Sequence, residues 1–234
     1  MKATLKKIHH ETTDIITFWF EPEKPVDYIA GQFIEMSLPH PQPDERGTKH
    51  WFTLSSSPTD SPFVSITTKF AERSSTFKAA LRNLNLGDGV TISEPMGDFV
   101  LPKNSSIPLV FVAGGIGITP FHSIIKWLID TRQARELTFI YAVNNEHEMV
   151  FQKLFEHYGM NRIIVANKPD SAWDGETGRL TAKRILDLAK PTTDTLIYVS
   201  GPEPMVETLD NDLENAGIPK ARLVGDFFPG YRSI

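Results

Sequence analysis

The chain has 234 residues, no cysteine, and 24 Lys+Arg against 29 Asp+Glu, a net charge of −5. That length accommodates one large domain or two compact ones, and 40% hydrophobic with 23% charged residues is ordinary for a chain that buries a core. The negative balance argues against a nucleic-acid backbone as main partner, and the missing cysteines exclude disulfides, thiolate-held zinc or iron–sulfur clusters, and a catalytic thiol. Redox chemistry would have to come from a bound organic cofactor or from a metal held by nitrogen and oxygen ligands.

The first ten residues are basic but lack the apolar run of a secretory signal, so the chain is expected to be soluble and cytoplasmic. Short β-like runs follow: Asp14 to Phe20, Gln32 to Leu38, Trp51 to Ser55 and Phe63 to Thr68, the last alternating apolar and polar as a half-buried strand does. Pro39 to Pro43, with Asp44-Glu45-Arg46-Gly47 after it, reads as an exposed loop between strands. One helix interrupts the series, where Phe77, Ala80, Leu81 and Leu84 recur at helical spacing, and a further strand, Val90 to Ser93, follows it. Several short strands with one helix suggest a small antiparallel β-barrel with one cap helix.

From Ile107 the rhythm changes. Strand-like runs (Pro108 to Ala113, Leu137 to Val143, Arg162 to Ala166, Thr195 to Val199) alternate with helical ones (Pro120 to Thr131, Glu148 to Tyr158, Thr181 to Ala189, Glu203 to Ala216). That alternation predicts an α/β doubly wound parallel sheet. The polar connection Pro102 to Ser106 divides the chain into domains 1–103 and 104–234. Residues 104–123 carry no Lys, Arg, Asp or Glu, but two prolines and three glycines make them a buried strand plus a glycine turn rather than a membrane span.

Val112 to Pro120 follows an apolar strand and opens a helix, with Thr119 in position to cap it and Pro120 suited to its first turn. Glycines here would let backbone N–H groups approach a phosphate at a helix N-terminus. A tight strand-to-helix turn without a ligand satisfies the same residues, and Pro120 stands where the Rossmann fingerprint has its third glycine. A second turn, Tyr198 to Pro204, ends a later strand, and open parallel sheets bind ligands at the carboxyl ends of their strands.

In order and spacing these motifs resemble the ferredoxin–NADP reductase superfamily, a flavin barrel followed by a nicotinamide domain. Gly31-Gln32-Phe33 is similar to the start of the flavin barrel, and His50-Trp51-Phe52-Thr53 to the R-x-[YF]-[ST] flavin motif. Arg73 to Phe77 resembles the phosphate turn at the cap helix, and Gly87-Asp88 and Glu94 to Phe99 resemble the last barrel strands. Gly114 to Pro120 is similar to the G-G-x-G-x-T-P nicotinamide turn, and Ser200-Gly201-Pro202 to C-G-P.

The resemblance implies bound FAD rather than FMN, and NADH or NADPH as co-substrate. It implies cofactor contacts from His50, Trp51, Phe52 and Thr53, from Ile66, Thr67 and Thr68 along the flavin ring and ribityl chain, and from Ser74, Ser75 and Thr76 to the pyrophosphate. Simple capping of the helix is the other reading of those last three, and both can hold, because capping and phosphate binding use the same orphan N–H groups. On the nicotinamide side it implies Gly115, Gly117, Ile118, Thr119, Pro120, Gly201 and Pro202. Thr53, Ser200 and Asp226 take catalytic roles, with Thr53 near flavin N5 and Asp226 as a carboxylate of a proton relay. Tyr231 is the candidate aromatic gate over the flavin, Phe228 its rival, and Phe227 a core residue of a final strand.

Three departures qualify these expectations. His50 replaces the motif's arginine, and a neutral imidazole is a poorer phosphate partner than a guanidinium. Ser200 replaces the C-G-P cysteine. The strand end Tyr141 to Asn145 lacks an arginine and is followed by Glu146 and Glu148, which favours NADH over NADPH. His9-His10 and Glu146-His147-Glu148 lack zinc-hydrolase spacing, so no metal is expected. The expected activity is that of an NAD(P)H:acceptor oxidoreductase passing electrons to an unidentified acceptor outside these 234 residues, a small redox protein or a small molecule. A free-flavin reductase and an electron-transfer subunit of a larger complex remain the alternatives.

Overall fold

Alternating apolar and polar residues need a sheet that hides one face, and the first hundred residues meet that need by curling one sheet on itself. The structure is a computed structural model and describes residues 1–71 and 74–228, excluding the side chains of His157 and Phe228. The chain divides into two compact units, one of Met1–Val100 with His122–Asp130, the other of Leu101–Phe121 with the residues from Thr131 on.

The first unit holds β1 (Lys2–His10), β2 (Ile15–Pro22), β3 (Phe33–Ser37), β4 (Lys49–Thr53), β5 (Val64–Lys69), α1 (Thr76–Arg82) and β6 (Gly89–Ile92). The strands form an antiparallel sheet in the order β4-β3-β6-β1-β2-β5. Its two edges meet through the bridge of Leu54 with Ile66 and the bond from Ser55 N–H to the Ser65 carbonyl at 2.8 Å, so the sheet closes as a barrel and leaves no long free edge. Leu5, Phe18, Phe20, Ile34, Met36, Leu54 and Ile66 fill it, each with no exposed surface. Strand β1 carries no clear sequence signal because a bulge between Leu5 and Lys7 breaks its alternation.

Helix α1 is seven residues long, too short to persist alone. Phe77 and Leu81, one turn apart and fully buried, fix it on the barrel core at roughly 1.5–3 kcal/mol each.

The second unit holds β7 (Leu109–Gly114), the start of α2 (Thr119–Asp130), β8 (Leu137–Val143), α3 (Gln152–His157), β9 (Asn161–Ala166), β10 (Glu176–Thr177), α4 (Ala182–Ala189), β11 (Leu196–Pro202), α5 (Glu203–Asn215) and β12 (Leu223–Phe228). Its sheet is parallel, in the order β10-β9-β8-β7-β11-β12. All six residues of β7 are buried, as a central parallel strand requires, and Phe111 packs on Phe121 at 4.7 Å and Tyr198 at 5.4 Å between ring centroids. The strand order reverses between β7 and β11, which makes that crevice the topological switch point of the sheet.

Three elements differ from their sequence expectation. The helix expected from Glu148 begins only at Gln152, after an extended Met149 and a left-handed Phe151 with φ of 60°. Val150 and Phe155 are both buried but do not share a helical stripe, so the chain breaks to bury both. Strand β11 runs on through Ser200 and Gly201 to Pro202, because β12 pairs with it there. Thr119 lies inside α2 with helical dihedrals and bonds back to the Ile116 carbonyl at 3.2 Å, so it does not cap the helix.

Two glycines separate conformational cost from crowding. Gly31 has φ of +102°, and a Cβ there would lie 2.0 Å from the Phe99 carbonyl oxygen, whereas Gly87 has φ of +96° and open space. Gly87→Ala is expected to cost about 1–2 kcal/mol for its left-handed backbone. Gly31→Ala must cost clearly more, since the backbone of Phe99 cannot yield as a side chain would. Urea unfolding of both variants measures the difference, and equal costs would show that the Phe99 segment moves freely.

Candidate functional site

Both turns expected to bind nicotinamide dinucleotide lie at the switch point and touch. After β7, Gly115 takes a φ of +51° and opens a 3-10 turn, Gly115–Ile118, that runs directly into α2. A Cβ on Gly117 would lie 2.2 Å from the Ser200 carbonyl oxygen and 2.6 Å from Gly201 Cα; one on Gly114 would lie 2.3 Å from Met205 Sδ. Gly114 and Gly117 are thus glycines for turn-against-turn packing, and Gly115 for its dihedral. Ile118, Thr119 and Pro120 are buried behind this turn.

Ser200 sits opposite Ala113 on β7 and Asp226 on β12, so Ser200 and Asp226 share one face of the sheet. Ser200 is fully buried, and its Oγ has no hydrogen-bond partner among the described residues. An orphaned buried hydroxyl costs about 1–3 kcal/mol unless something outside the described residues bonds it. Burial raises the Asp226 carboxyl to about 6, where it can hold or release a proton near neutrality. A glycine cradle and an unpartnered hydroxyl together fit a nicotinamide dinucleotide.

In the first unit, β4 alternates. His50 and Phe52 turn to α1, where their rings lie 4.4 and 5.9 Å from Phe77, while Trp51 is 61% exposed beside Phe33. Thr53 and Phe52 are buried, as are Ile66, Thr67 and Thr68 on β5. Thr67 Oγ1 lies 2.8 Å from both Thr17 Oγ1 and Ser55 Oγ. His50 Nε2 is buried without a partner among the described residues, and burial lowers its pKa, with Lys78 and Arg46 adding to that.

The segment after β4 is held by residues that carry no sequence signal. His122 Nδ1 lies 2.6 Å from the Ser55 carbonyl, while Ser123 Oγ and Tyr28 Oη donate to the Ser56 carbonyl at 2.5 and 2.9 Å. Burial pushes His122 down to about 4, so it is neutral.

At the start of α1 the expected phosphate donors have partners inside the chain. Ser74 Oγ donates to the Ala71 carbonyl at 2.7 Å, and Ser75 Oγ caps the helix by accepting from Lys78 N–H at 3.1 Å. Thr76 N–H donates to Asp44 Oδ2 at 3.0 Å, and Thr76 Oγ1 accepts from Asp44 N–H at 2.9 Å. The neutral hydroxyls of β4 and β5 suit a flavin ring and its ribityl chain. A diphosphate at this turn would share the Thr76 N–H with Asp44. Arg73 and Tyr231, and the side chain of Phe228, lie outside the described residues.

Gly117→Ala is expected to weaken NADH binding at least about tenfold, because the turn must move off Ser200 and out of register with the helix N-terminus. Calorimetric titration checks this, and unchanged affinity would show that the contact is dispensable. Asp226 supplies a second test. Its raised carboxyl destabilises the fold as pH climbs from the ordinary value of about 3.9 toward 6, so Asp226→Asn should flatten that part of the pH–stability profile. Identical profiles for both proteins would remove the assignment.

Residues 111–211 match the family described as the oxidoreductase NAD-binding domain. The chain is 27% identical over 231 residues to flavohemoprotein A of Dictyostelium discoideum, covering 93% of this chain and 57% of that protein. It is 28% identical over 223 residues to the glycine betaine monooxygenase reductase subunit of Chromohalobacter salexigens, covering 90% of this chain and 59% of the relative. The chain thus spans less than two thirds of these relatives' lengths. A ferredoxin NADP+ reductase from Neisseria gonorrhoeae, solved with bound FAD and NADP, superposes with a TM-score of 0.80 at 16% identity, covering 97% of this chain and 98% of that one. With its closed antiparallel barrel and its parallel sheet the chain shares the fold of this ferredoxin NADP+ reductase, and its segment 111–211 is an oxidoreductase NAD-binding domain.

Proposed function

We propose that the chain is an NAD(P)H-dependent flavoprotein oxidoreductase, with residues 1–103 as its flavin-binding domain and 104–234 as its nicotinamide domain. The observation that carries this reading is the buried, unpartnered Ser200 hydroxyl beside the Gly115–Ile118 turn at the switch point of the parallel sheet. Bound flavin supplies a hydride acceptor that releases electrons singly or in pairs.

The chain's own residues bind and orient. Backbone N–H groups of the Gly115–Thr119 turn hold the dinucleotide's pyrophosphate at the start of α2. Ser200 gives its hydroxyl to the nicotinamide end, and Asp226 holds the exchangeable proton. Thr53 offers its hydroxyl to the hydride-accepting edge of the flavin, while Ile66, Thr67 and Thr68 line its ring and ribityl chain. Glu146 and Glu148, at the end of β8, favour the free ribose of NADH over the 2′-phosphate of NADPH.

The reductase-subunit name of the Chromohalobacter relative supports an electron acceptor that is a separate protein. A cytoplasmic location fits the supply of reduced nicotinamide, and no helix among the described residues is long and apolar enough to cross a membrane. A second reading, a reductase that takes free flavin as substrate, is favoured by Asp44 at α1, which removes a hold on the diphosphate.

Anaerobic NADH is expected to bleach the oxidised flavin band near about 450 nm. Colour that persists with both NADH and NADPH would sink the oxidoreductase reading. Flavin that stays with the protein through gel filtration would count against the free-flavin alternative.

A further inference from the structure

We propose that Met205 is an oxidation site, and that its sulfoxide lowers the affinity of the second unit for nicotinamide dinucleotide. This rests on the nicotinamide reading above and adds a regulation to that site. Helix α5 leaves β11 directly at Pro202, which puts Met205 in its first turn. A Cβ on Gly114 would lie 2.3 Å from Met205 Sδ and 2.9 Å from its Cε. One on Gly201 would lie 3.3 Å from the same sulfur and 3.3 Å from Gly114 Cα. The thioether therefore rests on two bare backbones, at the end of β7 and at the end of β11. It fills the space that the missing side chains leave, and so fixes how the two turns stand.

The niche suits a thioether and not its oxide. Met205 packs on the apolar cluster of Val110, Val112, Val199, Val206 and Leu209. An unbranched, polarisable side chain shapes itself to such a bed. Oxidation makes the sulfur polar and chiral, and adds an oxygen that needs a hydrogen-bond donor or water. Burying that group unpaired is costly, so the side chain leaves its bed for solvent. Gly201, whose Cα would lie 2.6 Å from a Cβ on Gly117, then loses its backing. Ser200, its neighbour in the chain, carries the buried hydroxyl without a partner among the described residues, so the same movement displaces the group offered to the dinucleotide.

The reaction balances with one oxidant. Hydrogen peroxide gives one oxygen to a sulfur lone pair: the S–O bond forms, the O–O bond breaks, and the second oxygen leaves as water with both protons. Sulfur loses two electrons and the peroxide gains them. Met205 is half-buried, within reach of a molecule as small as peroxide, whereas Met36 has no exposed surface and Met96 is 40% exposed. These three methionines form an internal scale of reactivity. Peroxide would slow the consumption of reduced nicotinamide, and repair of the sulfoxide would restore it.

The test titrates NADH into the protein by calorimetry before and after graded hydrogen peroxide, with peptide mass spectrometry measuring sulfoxide at each methionine. NADH affinity is expected to fall at least about fivefold, in step with oxidation of Met205 and not with that of Met96. A methionine sulfoxide reductase with its dithiol reductant should bring the affinity back. Met205→Leu keeps an apolar side chain without a sulfur, so whatever affinity it starts from should not move with peroxide.

Unchanged NADH affinity in protein oxidised at Met205, a loss that the reductase fails to reverse, or an equal loss in Met205→Leu overturns the proposal. So does a Met205 that stays reduced when Met96 is fully oxidised. If neither NADH nor NADPH binds the untreated protein, the nicotinamide reading itself falls and takes this one with it. That result is distinct from a dinucleotide that binds and does not respond to peroxide.

Discussion

The approach of two backbone turns at the switch point is the constraint on which the second unit depends. Gly117 lies so close to the Ser200 carbonyl that a single added carbon has no room. That closeness brings the end of β11 against the start of α2, buries the Ser200 hydroxyl and aligns Asp226 beside it through strand register. Each of these is a cost in isolation: a hydroxyl without a partner, a carboxyl out of water, two glycines without side chains to pack. Six buried residues of β7 and the aromatic stack around Phe111 offset them. The fold thus tolerates an unpartnered hydroxyl at the switch point.

The first unit works by the opposite principle. Here the hydroxyls of Ser74, Ser75 and Thr76 already have partners within the chain, whereas His50 Nε2 has none among the described residues. Any molecule bound there has to win contacts from the protein, whereas in the second unit it fills contacts left open.

Much of this was readable from the residues. The alternation in Phe63 to Thr68 and the apolar run into Gly114 each announced a strand, because side-chain period reports burial directly. Both turns were legible through glycine and proline. The start of the helix after β8 is not legible because Val150 and Phe155 are buried without sharing a stripe, and Thr119 resembles a cap because a 3-10 turn feeding a helix has the same residues as a capped start. The Asp44–Thr76 pair was not legible at all. It joins positions 32 apart in sequence, and the proline loop that carries Asp44 has no periodicity to say where it docks. His122 was silent for the same reason, since its partner at Ser55 is 67 residues away.

The seam of the barrel has a consequence of its own. The sheet closes where Leu54 meets Ile66, and Thr53 and Thr67 stand next to that bridge on its two sides. A closed sheet opens most readily at the place where its first and last strands are joined by the fewest bonds. A molecule that touches both Thr53 and Thr67 therefore spans the joint like a rivet, and its binding free energy is added to that of closure. In such a barrel, a ligand lying across the joint would also hold the cylinder shut.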